Sequence, residues 1–169
     1  MSNKIVNKVA NSQLKTIDLE EFYPQGTRTI FDIKKWLFQE LILKESDFRE
    51  HVKKHNWSQY NNHYVALTCS SDAIIPSWAY MLITICLSPF AKKIVVGNLN
   101  DLESSIFQTI IAEFSIEDFK NKPIIIKGCS KKPIPETAYI QLIEKLQPHV
   151  KSIMFGEPCS TVPLFKKKN

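Results

Sequence analysis

Three dipeptides carry the chemistry that this chain advertises. Cys69-Ser70, Cys129-Ser130 and Cys159-Ser160 each follow a short apolar run and each precede a proline. A thiol at the start of a helix is biased toward thiolate by the helix dipole and the free amide groups there. Three thiolates brought together repel unless a cation offsets them, and the soft occupants suited to such a set are a zinc ion or an iron–sulfur cluster. Asp72, three residues after Cys69, and Glu157, two before Cys159, are the candidates for a fourth ligand or a supporting carboxylate. An open fourth position is equally compatible with zinc. The plain alternative is that these are small buried cysteines in tight turns, with each serine capping a turn. Cys86 stands apart, within the apolar Leu82–Leu87 run, and reads as core.

The elements that would position these residues can be read from periodicity. Residues 64–68, 93–96, 123–127 and 152–155 are short apolar, β-branched runs of the buried-strand type. Between them, 76–87, 101–114 and 135–147 show helical spacing, the first and last opened by a proline suited to a helix start. Strand–helix alternation predicts an α/β fold with a central, mostly parallel sheet of about four strands and flanking helices. In such a sheet the strand C-termini share one rim, where ligands bind. Cys69, Cys129 and Cys159 are thereby expected on one edge, although they are separated by 60 and 30 residues. The first two corners also belong to an internal repeat: Cys-Ser, a short loop, Ile-Pro, two residues, Ala-Tyr, ending at Tyr80 and at Tyr139. These tyrosines are expected to pack beneath the corners.

The N-terminal part is less regular. Residues 29–33 alternate as a strand, 36–38 and 41–43 are apolar, and a helix is predicted over 46–55 with Phe48 and Val52 inward. The organisation expected is one α/β domain over 1–169, with 1–60 an N-terminal α+β extension, a strand or hairpin and a helix, packed on a repeated βα core at 63–165. His51 and His55 have a spacing that can bind metal, but Lys53 and Lys54 lie between them and a solvated basic face is the expectation. His63 and His149 precede strands, at the end away from the rim.

Composition bounds the class. With 169 residues, 44% hydrophobic and 23% charged, the chain can bury one sizeable core. No GxGxxG, Walker A or GxSxG pattern occurs, so no nucleotide cofactor is expected. Three of the 22 basic residues are Lys166, Lys167 and Lys168; the 19 that remain exceed the 17 acidic ones by only two, so no nucleic-acid partner is expected. No apolar run is long enough for a membrane span, the start lacks a signal peptide's apolar stretch, and four cysteines without a CxxC knuckle do not suggest a disulfide framework. A cytoplasmic protein is expected.

Val9–Ser12, Trp57–Tyr60, Val65–Ser70, Ala91–Lys93, Lys127–Ser130 and Gly156–Pro163 together resemble the bacterial family called domain of unknown function 2480, over essentially the whole chain. The resemblance implies little chemistry. It points, through neighbouring genes, to iron–sulfur assembly proteins as partners. The leading expectation is a metal- or iron–sulfur-binding accessory protein with Cys69, Cys129 and Cys159 as ligands. Two others stand beside it: a thiol or sulfur-transfer enzyme using one corner cysteine, Cys129 before the others, as nucleophile, and an interaction module with structural cysteines.

Overall fold

The structure, a computed structural model, describes residues 13–128 and 131–168. Four α-helices and seven strands occur among them, a mixed α/β architecture as expected. The strands are β1 (Lys15–Ile17), β2 (Arg28–Asp32), β3 (Tyr64–Thr68), β4 (Lys93–Val96), β5 (Pro123–Ile126), β6 (Ser152–Glu157) and β7 (Ser160–Lys166). The helices are α1 (Glu45–Lys54), α2 (Ser77–Leu87), α3 (Leu99–Glu113) and α4 (Glu136–Leu146). Pro76 and Pro135 stand just ahead of α2 and α4 rather than in their first turns, in extended backbone.

A four-stranded, mostly parallel sheet is present, in the order β1-β5-β6-β7, with β7 antiparallel to β6. Its membership differs from the simple run of segments after residue 63. β3 and β4 pair instead with β2, in a separate parallel sheet of order β2-β3-β4. The chain correspondingly forms two compact units. Unit 1 comes from the Met1–Tyr23 and Gln108–Asn169 stretches, and unit 2 from Pro24–Phe107.

Both units follow one plan, wider than the repeat at the cysteine corners. β1 and β2 each lead to an aspartate, Asp18 and Asp32. Each carboxylate accepts the backbone N–H two residues on at 3.0 Å, capping a 3-10 helix, Leu19–Phe22 or Ile33–Trp36. A shift of 59 residues maps most of the rest, as from Leu67 to Ile126 and from Val96 to Phe155. It carries α1 onto the second half of α3. Asn62 and Asn121, just before β3 and β5, are both left-handed, at φ 62° and 56°. α2 and α4 bury the same stripe, Ala79, Ile83 and Leu87 against Ala138, Leu142 and Leu146, spaced four apart along one helix face. β4 and β6 both run into a glycine at positive φ, Gly97 (140°) and Gly156 (123°), where a side chain would be strained.

After these glycines the copies part. Gly97 leads into α3, where the Asn98 side chain accepts the N–H groups of Asn100 and Asp101 at 2.8 and 3.0 Å. Gly156 instead continues a hairpin whose second strand, β7, covers the outer edge of β6.

Candidate functional site

The two described cysteine corners, at Cys69 and Cys159, do not come together in a metal centre. Among the described residues no group of three or more His, Cys, Asp or Glu side chains is placed to hold a metal ion. The physical reason lies in the strand pairing. Cys69 follows β3 in the three-stranded sheet, whereas Cys159 lies in the turn between β6 and β7 of the four-stranded sheet, so the shared rim that would have joined them does not exist. The Cys69 thiol is half-buried, 3.3 Å from the Ser71 hydroxyl and 3.8 Å from the Ser71 carbonyl oxygen. Cys159 is exposed. Asp72 is exposed in the loop ahead of α2, and Glu157 ends β6 opposite Ser160. Cys129, the first candidate for a thiol nucleophile, lies outside the described residues. The expectation of a zinc ion or iron–sulfur cluster is therefore corrected, and with it the reading of this chain as a metal-binding accessory protein. Cys86 sits half-buried against the unit 2 core, where burial pushes its thiol pKa up. Tyr139 packs edge-on against Phe155.

A different set of side chains converges in unit 2. The 3-10 helix after β2 presents Trp36, α1 ends at His55, and the 3-10 helix Trp57–Tyr60 presents Tyr60. Trp36 and His55 meet edge-to-face at 5.2 Å and 71°, and His55 stacks on Tyr60 at 5.7 Å and 27°. The mapped residues in unit 1 are Phe22, Phe114 and Phe119. Their rings repeat the arrangement: Phe22 and Phe114 at 5.5 Å and 79°, Phe114 and Phe119 at 5.4 Å and 28°. The fold thus needs three rings here, and hydrocarbon rings suffice. Unit 2 adds polar atoms to them. His55 Nε2 lies 3.1 Å from the Tyr60 hydroxyl and 3.1 Å from the Gln59 side-chain nitrogen. An amide nitrogen only donates, so Nε2 accepts and the ring proton is on Nδ1. Burial lowers the His55 pKa and raises that of Tyr60, so both are neutral at pH 7. Trp57, mapped to Ile116, stacks on Phe31 at 5.8 Å and donates its indole N–H to the Val52 carbonyl at 2.9 Å. The solvated basic face expected for α1 holds at His51, Lys53 and Lys54, which are exposed, His51 stacking on Trp36 at 5.6 Å; half-buried His55 departs from it and joins the ring cluster.

Phe31, Trp36, His55 and Tyr60 line a cleft of about 130 Å³, together with Asp32, Ile30 and Lys35. Asp32 is ionised there. Burial raises its pKa, but donors outweigh burial: the Ser70 hydroxyl at 2.6 Å and the backbone N–H groups of Ser70 and Lys34 at 3.0 Å, with the positive charge of Lys34 adding to them. The two copies differ again at this carboxylate. In unit 1, Asp18 is paired with the Lys127 ammonium at 3.1 Å. The residue mapped to Lys127 is Thr68, and among the described residues Asp32 makes no ion pair; Lys34 turns to Glu40 at 3.0 Å instead.

No sequence motif marks this cluster, and the reading of cysteines passed it by. A signal was nevertheless present: aspartate, an aliphatic residue, two charged residues and an aromatic ring occur twice, at Asp18–Phe22 and at Asp32–Trp36.

The family described as "Protein of unknown function (DUF2480)" matches residues 3–167, and the chain belongs to that family. No curated protein and no solved structure matches it.

Proposed function

We propose that this member of the DUF2480 family is a binding module that takes a small organic cation, an ammonium head group, into the unit 2 cleft. One observation carries the reading. Where unit 1 neutralises its aspartate with its own lysine and builds its ring cluster from phenylalanines, unit 2 has Asp32 beside Thr68 and a ring cluster of Trp36, His55 and Tyr60. An ionised carboxylate among aromatic faces attracts cations through charge and through the ring quadrupole, with about 0.5–2 kcal/mol from each well-placed ring. Neutral His55 does not oppose a cation at pH 7. Lys35 is exposed and keeps its ammonium in water while its stem lines the cleft. A space of about 130 Å³ suits a group the size of one small ring, not a nucleotide or a peptide.

Tetramethylammonium and choline, titrated against the full chain, should give saturable changes in tryptophan fluorescence and in the ring signals of Trp36 and His55. The neutral isostere 3,3-dimethyl-1-butanol should not. The variant Trp36→Phe/His55→Phe/Tyr60→Phe installs the residues of unit 1; it should fold and lose the response. Absence of saturation, or an equal response to the neutral compound, would overturn the reading.

A further inference from the structure

The ring wall of the unit 2 cleft includes one group that changes charge near neutral pH. Of Phe31, Trp36, His55 and Tyr60, only the imidazole gains a proton in that range. The scaffold does not require it, since the ring mapped to His55 in unit 1 is Phe114. His55 is fixed in the wall from several sides. It stands edge-on to Trp57 at 4.7 Å, to Trp36 at 5.2 Å and to Phe31 at 5.6 Å, and it stacks on Tyr60 at 5.7 Å. Its Nε2 faces donors. The Gln59 amide nitrogen, itself donating to the Asn56 carbonyl at 2.7 Å, and the Tyr60 hydroxyl both lie 3.1 Å from it.

The charged groups around the ring leave it without a counter-ion. Asp32 ends β2 in the cleft, with its oxygens taken up by the Ser70 hydroxyl and by the N–H groups of Ser70 and Lys34. On the 3-10 helix, the Lys34 ammonium turns to Glu40 at 3.0 Å and Lys35 is exposed. One turn back on α1, exposed His51 stacks on Trp36. Beyond Tyr60, His63 Nδ1 lies 2.9 Å from the Thr29 hydroxyl. Among the described residues none of these groups bonds the His55 ring.

Resting on the cation reading of this cleft, we propose that His55 is its gate: the neutral ring helps to hold an organic cation, and the protonated ring expels it, so that the module releases its ligand on acidification. A neutral aromatic ring attracts a cation, whereas an imidazolium in the wall of a cleft of about 130 Å³ sets a like charge beside it. Protonation also turns Nε2 from acceptor to donor, against the amide hydrogens of Gln59. Burial lowers the His55 pKa, so release occurs below about pH 6.5. Asp32 is still ionised there, because its donors keep its pKa below the ordinary carboxylate value, and it does not supply the response. The coupling is reciprocal: a bound cation drives the proton off His55.

Tetramethylammonium titrated against the full chain at about pH 7.5 and about pH 5 tests the gate, with circular dichroism checking that the chain is folded at both. The affinity read from tryptophan fluorescence should be about threefold or more weaker at the lower pH. His55→Phe, which installs the ring of unit 1, should abolish that ratio whatever its affinity. His51→Gln, outside the cleft, should keep it. NMR titration of the wild-type His55 ring gives a reading that needs no variant: saturating tetramethylammonium should lower its pKa, and sodium chloride at the same concentration should not. No saturation at the higher pH overturns the cation reading and the gate with it. Saturation with equal affinity at both pH values, a ratio that survives in His55→Phe, or a His55 titration indifferent to the cation overturns the gate alone.

Discussion

Unit 1 and unit 2 are two executions of one plan, and their differences separate what the plan requires from what has been added to it. Both keep an aspartate-capped 3-10 helix, an asparagine in the left-handed region before the central strand, a crossover helix with the same buried stripe, and a glycine at positive φ. Each keeps a backbone N–H satisfied, a core filled or a turn unstrained. Unit 1 completes its plan internally: Lys127 offsets Asp18, phenylalanines form the ring cluster, α4 carries the charged residues Glu136, Glu144 and Lys145, and β7 covers β6. Unit 2 leaves each of these places changed: among the described residues Asp32 makes no ion pair, the rings are polar, α2 carries no charge and β4 pairs with a strand on one side. All three tryptophans and three of the four histidines belong to it. Polar or exposed features that the scaffold does without in one copy are the natural place to look for function in the other.

The largest effect should come from a feature that only unit 2 has. Glu103, buried to 4%, takes Arg28 Nε at 2.7 Å; the same guanidinium bonds the Pro24 and Gly26 carbonyls and lies 4.7 Å from the Tyr64 ring centre. Arg28 corresponds to Leu14 of unit 1, so the pair has no copy there. Glu103→Ala takes from the half-buried Arg28 guanidinium its buried carboxylate partner and should cost about 3–5 kcal/mol in urea unfolding, with much of the loss recovered in Arg28→Met/Glu103→Leu. A cost below about 1 kcal/mol would show that the pair is not part of the unit 2 core.

The equivalence itself is tested next. Leu87→Ala and Leu146→Ala remove mapped, fully buried side chains of α2 and α4, and each should cost about 2–5 kcal/mol. Unfolding costs differing by several kcal/mol would break the comparison at its core. Ser70→Ala is milder. It deletes the 2.6 Å bond to Asp32 and should cost about 1 kcal/mol. Because the folded state holds the Asp32 pKa low, its contribution is present above the unfolded value near pH 4 and disappears as pH falls through the folded value. A stability profile of Ser70→Ala should therefore lose part of its acid-side slope. The smallest effect belongs to His55. Burial lowers its pKa, so as pH falls below about 6.5 the unfolded chain takes up the proton first and stability declines. His55→Phe, which restores the ring of unit 1, should flatten the profile in that window. An unchanged slope would place the His55 ring in water.

Most elements were legible because their signals are local. The predicted strands 64–68 and 93–96 coincide with β3 and β4, and the helix predicted over 46–55 is α1 within one residue, since periodicity records which face will be buried. The apolar runs at 36–38 and 41–43 resolve into the end of a 3-10 helix and an isolated bridge between Phe38 and Ile42. β1 escaped notice because three residues are too few to show alternation. β7 did so because Pro163 lies within it, which an edge strand tolerates and a central one does not; the proline pairs with Met154 just where the register slips.

The sequence by itself determined the α/β class, the inward face of each helix and the repeated Cys-Ser corners, all properties of neighbouring residues. Only the tertiary structure decided which strands share a sheet. β1 pairs with β5, bringing Lys15 beside Ile124, while β2 takes β3 and β4 away from β5 and β6. Parallel pairing joins segments far apart in the chain, and apolar strands of similar length carry no local mark of their partner. That choice set Cys69 and Cys159 on different sheets and gathered Trp36, His55 and Tyr60 around Asp32. Neither arrangement could be read from spacing, because spacing along a chain measures distance only within one element.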